Sequence, residues 1–226
     1  MAKIELREPT ILFHSNLDSE KEVFLSFWRS GQSLHPNLNH LLGQQNEEEV
    51  KGAISCFIDE YYHKNRVRLR ENFDTIIKEW YQVRSSYYKK VGGLLNNYPW
   101  PSGDYLACGS ILYLFPRNIA KRWFTFPLSR RFNAVQVIAH EMLHFIVYDY
   151  LEKVFGLKPS EGCDQDNKFW QFSENLNALI EDEPIWQEFM RGNKANIKPE
   201  CKTLYLEMKA VWDKDKSIDH LIESIF

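Results

Sequence analysis

Hydrophobic and polar positions alternate along this chain in three distinct regimes. From Ile4 to Phe13 the alternation is loose and includes Pro9, which predicts an edge strand, and Asp18 to Trp28 follows with the spacing of a short amphipathic helix. From Glu47 to about Leu95 the period lengthens. Ile54, Phe57, Ile58, Tyr61, Leu69, Phe73, Ile76, Ile77, Trp80 and Tyr87 recur at helical intervals among charged residues, so this stretch predicts one or two long amphipathic helices. Gly92-Gly93 and then NNYPWPSGD, residues 96–104, supply the breakers that end it.

The middle of the chain is more apolar. Tyr105 to Phe115 and Arg122 to Phe126 read as two short strands that can pair as a hairpin, with Pro116, Arg117 and Asn118 between them as turn residues. Residues 132–156, FNAVQVIAHEMLHFIVYDYLEKVFG, contain no Pro or Gly until Gly156, so they predict one helix stopped by that glycine. It is apolar on nearly every face, which belongs to a helix at the centre of a protein. A further helix is predicted from about Asn167 to Ile180, with Phe169, Phe172, Leu176 and Leu179 as its packing stripe and Pro184 as its stop. Residues 199–226 predict one or two more helices, interrupted near DKDKS at 213–217.

These elements describe an α+β chain, mostly helical, with a small sheet and a buried central helix. At 226 residues and 44% hydrophobic content the expectation is one domain over 1–226, its N-terminal helices and sheet in 1–130 and a helical C-terminal half in 131–226. An active cleft is expected between the halves. A net charge of −3 favours neither nucleic acid nor a membrane surface as partner. The opening MAKIELREPTILFHS has no secretory pattern, and no apolar run approaches the length of a membrane span, so a soluble, cytoplasmic protein is expected. Cys56, Cys108, Cys163 and Cys201 lie too far apart for a Cys-x-x-Cys pair and read as reduced thiols.

Chemistry enters through residues 140–144 of the central helix, His-Glu-Met-Leu-His, a His-Glu-x-x-His motif. Residues four apart in a helix stand one turn above each other, so the His140 and His144 imidazoles project from one face and can take two corners of a zinc tetrahedron. Glu141 then lies beside the metal, placed to take a proton from water as a general base. The competing reading is a chance match with two satisfied core histidines. Against it, buried polar groups without partners cost roughly 1–3 kcal/mol each, and these three sit among Val137, Ile138, Met142, Phe145, Ile146 and Val147.

A catalytic zinc needs a third protein ligand. Glu174 is the leading candidate, because the apolar stripe of its helix can pack against the central helix. Trp170, Glu174, Asn177 and Glu181 form a stripe of their own, however, which also reads as a solvated face. Asp166 competes with Glu174, either as a ligand or as part of the helix N-cap, and Cys163 with Asp164 and Asp166 is a weaker metal corner.

HEMLH followed about thirty residues later by SENLNALI resembles the gluzincin, thermolysin-like branch of the zincin metallopeptidases, over residues 132–181. The resemblance implies a zinc peptidase that hydrolyses peptide bonds, with Zn2+ held by His140, His144 and Glu174 and with Glu141 as base. It implies an upstream edge strand, here 105–115 or 122–127, that binds an extended peptide or protein substrate by main-chain pairing. Such proteins place an aspartate four residues after the ligand glutamate to orient a zinc histidine. That position is Ala178 here, with Asn177 and Glu181 as possible substitutes. The metzincin pattern is missing after His144. The sequence does not identify a transition-state stabiliser; Tyr148, Tyr205 and His220 are candidates that each read first as structural.

Two basic clusters, RVRLREN at 66–72 and SRR at 129–131, read as solvated faces. The rival to a peptidase is a non-catalytic zincin-fold protein that uses the metal for structure or binding. Retention of Glu141 argues against it, because a structural zinc has no use for a base.

Overall fold

The computed structural model describes residues 8–32, 35–44, 46–112, 115–159, 167–190 and 197–226. The chain enters as strand β1, Thr10–His14, and turns into helix α1, Leu17–Arg29, whose first amides are capped by the Asn16 side chain. Helix α2, Glu47–Leu94, follows as one continuous rod of 48 residues, about 70 Å at 1.5 Å per residue. Three glutamates in its first turn complement the helix dipole. Gly92 and Gly93 do not break it. Termination falls to Asn96 and Asn97, which adopt φ of 53° and 60°.

Strands β2, Asp104–Ser110, β3, Arg117–Asn118, and β4, Trp123–Pro127, complete a four-stranded sheet in the order β1-β2-β4-β3. β1, β2 and β4 are parallel, with Thr10 beside Asp104 and Leu106 beside Trp123, and only β3 runs antiparallel, against β4. The expected hairpin between 105–115 and 122–126 is therefore not formed. Residues 111–122 give the dozen or so positions that a parallel return requires, and β3 lies within that return.

The central helix, α3, spans Ala134–Lys153, capped by Asn133, and is buried at 14 of its 20 positions, as its all-round apolarity requires. Phe145 packs on Tyr105 and Phe124 of the sheet, and the Tyr87 hydroxyl of α2 donates to the Ala139 carbonyl at 2.7 Å. That bond fixes α2 against α3 one residue before His140. Helix α4, Lys168–Glu181, is capped by Asn167. Short α5, Gln187–Met190, follows a turn begun by Pro184, and α6, Lys202–Asp215, and α7, Ile218–Ile225, close the chain, separated at Lys216 in the left-handed region.

The mostly helical α+β expectation holds. Buried apolar residues from Ile11 to Ile222 form a single cluster. Among the described residues no helix is long and apolar enough to cross a membrane. Cys56, Cys108 and Cys201 are free thiols; Cys163 lies outside the described residues.

Candidate metal centre

The centre is built where α3 and α4 face each other. His140 and His144 stand one turn apart on α3, with ring centroids 4.8 Å from each other. Glu174 of α4 reaches between them, its Oε2 at 3.8 Å from His140 Nε2 and its Oε1 at 3.7 Å from His144 Nε2. One donor atom from each of the three lies within 4.8 Å of the others, and the group can hold a metal ion. Donors around a tetrahedral zinc at about 2.1 Å stand roughly 3.4 Å apart, so small side-chain adjustments would bring these distances to coordination.

The stripe that reads as solvated in sequence faces the centre instead. Trp170 and Asn177 are buried, Glu181 Oε1 lies 2.9 Å from His140 Nδ1, and Asn177 Nδ2 lies 3.0 Å from His144 Nε2 and 3.4 Å from the His140 carbonyl. On the other side of α4, Phe169 and Phe172 pack against Phe226, so part of the expected packing stripe serves the C-terminus rather than α3. Glu181 thus takes the orienting position at His140 that Ala178 cannot. Turning His140 Nδ1 toward a carboxylate leaves Nε2 directed at Glu174.

Two cations complete the cluster, and sequence reasoning missed both. Arg117, read as a turn residue, lies in β3 and sends its guanidinium inward: Nη1 and Nη2 donate to Glu174 Oε1 at 3.1 and 3.2 Å, and Nη1 reaches Glu141 Oε2 at 3.5 Å. Lys198 Nζ lies 3.2 Å from Glu174 Oε2 and over the Trp170 ring. Neither residue belongs to a periodic pattern or a motif, and the sequence carries no signal that places them here.

The electrostatics follow from this crowding. Burial acts against an imidazolium at His140, but the Glu181 hydrogen bond and the charges of Glu181, Glu141 and Glu174 overcome it and bring the pKa up to about 9. At His144 burial dominates, with Arg117, His140 and Lys198 acting in the same direction, and the ring is held neutral, the form that ligates metal. Burial raises Glu141, while Arg117 and His140 only partly oppose it. Burial would also raise Glu174, yet His140, Arg117 and Lys198 outweigh it and hold this carboxyl below its usual range.

Protein groups do not close the network by themselves. Among the described residues, buried His144 Nδ1 and Asn177 Oδ1 have no hydrogen-bond partner. The two imidazoles and the carboxylate form a donor set that could hold a metal ion.

Among the described residues, His140, Glu174, Glu181, Lys198 and Cys201 line a cavity of about 30 Å³, while cavities of about 650 and 380 Å³ lie elsewhere. β2 is paired on both sides, by β1 and β4, so it offers no free edge; β4 is paired along one side by β2 and on the other by β3 only at Trp123 and Phe124. Of the proposed stabilisers, Tyr148 is buried beside Ser173 and Arg117, whereas Tyr205 faces Asp182 and His220 pairs with Asp215 at 2.7 Å. Asp164 and Asp166, like Cys163, lie outside the described residues, and the N-cap of α4 is Asn167. Compared with family models, curated proteins and solved structures, the chain has no match in any of the three.

Proposed function

We propose that this protein is a zinc-dependent metallopeptidase of the gluzincin type, with His140, His144 and Glu174 as ligands and Glu141 as general base. The observation that carries the reading is the convergence of those three donors from two facing helices within 4.8 Å, with Glu141 next to the first histidine. When bound, zinc supplies a Lewis acid that polarises a peptide carbonyl and acidifies water to a pKa of about 7.

The chain's own residues do the rest. Glu141, 4% exposed, takes the proton from water and delivers it to the leaving amine; burial, which raises its pKa, favours the first half of that transfer. Arg117 holds the Glu141 and Glu174 carboxylates apart and in register. Glu181 orients His140, and Tyr148 supplies a hydroxyl beside Arg117. A peptide substrate would pair with the β3 edge.

Two observations favour a second reading, a non-catalytic protein with a metal-binding or purely ionic core. Arg117 and Lys198 already supply counter-charge to Glu174, and the cavity that the described residues form at the donors is only about 30 Å³. Metal analysis followed by peptide-library cleavage separates the two. The peptidase reading expects one zinc per chain, lost in His140→Ala and His144→Ala, and cleavage that disappears in Glu141→Gln while the zinc stays. Zinc binding with no cleavage of any library member would leave only the second reading.

A further inference from the structure

The two basic clusters, RVRLREN and SRR, are 57 residues or more apart in sequence and meet on one cavity of about 650 Å³ that the metal centre does not use. Arg68 enters it from α2, and Arg130 and Arg131 from the turn between β4 and α3. The wall joining them is fixed by Asn72, whose side-chain amide donates to the Leu128 carbonyl at 2.9 Å. No aspartate or glutamate lines the cavity among the described residues. Arg130 is neutralised by Glu79 at 3.0 Å, but Arg68 donates to the Asn65 side-chain Oδ1 at 2.7 Å, and neither it nor Arg131 is paired with a carboxylate among the described residues.

His35, 7% exposed, adds a third polar group to the same lining. Its Nδ1 accepts from the Asn37 amide at 3.2 Å, which leaves the ring proton on Nε2, and the ring packs on Phe57 and Tyr61. Arg131 lies close enough to join burial in lowering the His35 pKa. The floor, by contrast, is apolar: Leu69, Ile111 and Leu128.

We propose that this cavity is a binding site for a small phosphate-bearing ligand with a flat apolar or ring portion, of nucleoside monophosphate size. Guanidinium forks converging from two elements suit a group with three acceptor oxygens better than a carboxylate with two. The volume lies within the roughly 300–1,000 Å³ typical of small-molecule sites and is far larger than a phosphate ion needs. The apolar floor and the Tyr61 ring take the remainder of the ligand.

The test is calorimetric titration of the full-length chain with adenosine 5′-monophosphate, inorganic phosphate and succinate at low salt, repeated in Arg68→Ala, Arg131→Ala and His140→Ala. Both arginines are exposed, so their removal leaves the fold intact, and circular dichroism checks this. The monophosphate should bind one per chain, more tightly than inorganic phosphate and succinate. Each arginine variant should weaken it about tenfold or more, the loss of one charge-assisted contact, and His140→Ala should leave it unchanged. Absence of saturable binding, indifference to both arginine substitutions, equal affinity for succinate, or loss in His140→Ala would each overturn the assignment.

Discussion

Replacing Arg117 by methionine removes a mostly buried cation that touches both the proposed base and a proposed ligand, while keeping most of the side-chain volume. The guanidinium gives Glu174 Oε1 two bonds at 3.1 and 3.2 Å and approaches Glu141 at 3.5 Å, with the three side chains 13%, 11% and 5% exposed. Breaking such a buried pair from one side costs roughly 3–5 kcal/mol, because the carboxylates remain in place without their counter-charge. Glu174 keeps Lys198 at 3.2 Å, which sets the loss at the lower end, about 3 kcal/mol. For a chain of this length that corresponds to a fall in melting temperature of about 6–12 °C. Zinc should then stabilise Arg117→Met more than the wild type, since a dication restores the missing positive charge and no longer meets the guanidinium. Scanning calorimetry of both proteins, metal-free and zinc-saturated, measures all four midpoints. If metal-free Arg117→Met melts with the wild type, or if zinc raises its midpoint no further than the wild type's, Arg117 is not the counter-charge of this centre.

Three other outcomes are expected. Glu20 of α1 is pushed up to about 7 by burial, against hydrogen bonds from Ile111, Ser110 and Tyr62. A carboxyl raised in the fold above its unfolded value stabilises below about pH 4.5 and loses that contribution as pH climbs through 7, so urea midpoints should show wild type losing about 3 kcal/mol across that window relative to Glu20→Gln; parallel pH profiles would refute this. Glu181→Ala should weaken zinc binding about 10–100-fold by releasing His140 Nδ1, measured by competition with a chelator, and unchanged affinity would remove Glu181 from the centre. Glu174→Ala should abolish tight zinc binding, whereas Asn167→Ala, which uncaps the same helix, should cost about 1 kcal/mol of stability and leave affinity nearly intact.

The central helix and its donors were legible because their signals are local. Asn133 and Gly156 bracket α3, its apolarity demands burial, and a four-residue spacing fixes two imidazoles on one face whatever the rest of the chain does. Glu174 does lie with the two histidines, but not by the packing that the sequence predicts. The sequence suggested that an apolar stripe docks α4 on α3, but Phe169 and Phe172 are taken by Phe226, and it is the polar stripe that faces α3. A polar face reads as solvated unless opposite charges await it across the interface, and Arg117 and His140 are such charges. Arg117 itself was hidden because its place depends on β3 pairing with β4, a register that two residues cannot announce. Strand direction was hidden too, since short apolar runs carry no information on whether they return as a hairpin or in parallel.

The ionic count at the centre says how a metal would have to enter. Glu141, Glu174 and Glu181 face Arg117, Lys198 and a His140 whose pKa lies near 9, three carboxylates against three cations. A metal held by His140 displaces the proton of that ring and so removes one of the three cations, and the other two are not equally free to move. Arg117 is 13% exposed and tied to two carboxylates, whereas Lys198 is 44% exposed and holds Glu174 through a single contact. Lys198 is also the residue that, with Ile197 and Cys201, lines the small cavity over His140 and Glu174. In the metallopeptidase reading, displacement of Lys198 therefore does two things at once: it frees Glu174 Oε2 to bind zinc and enlarges the cavity that His140 and Glu174 line. In the non-catalytic reading Lys198 stays, and the centre is a closed ionic core. The two proposals thus differ in the His140 proton and in the position of one ammonium group.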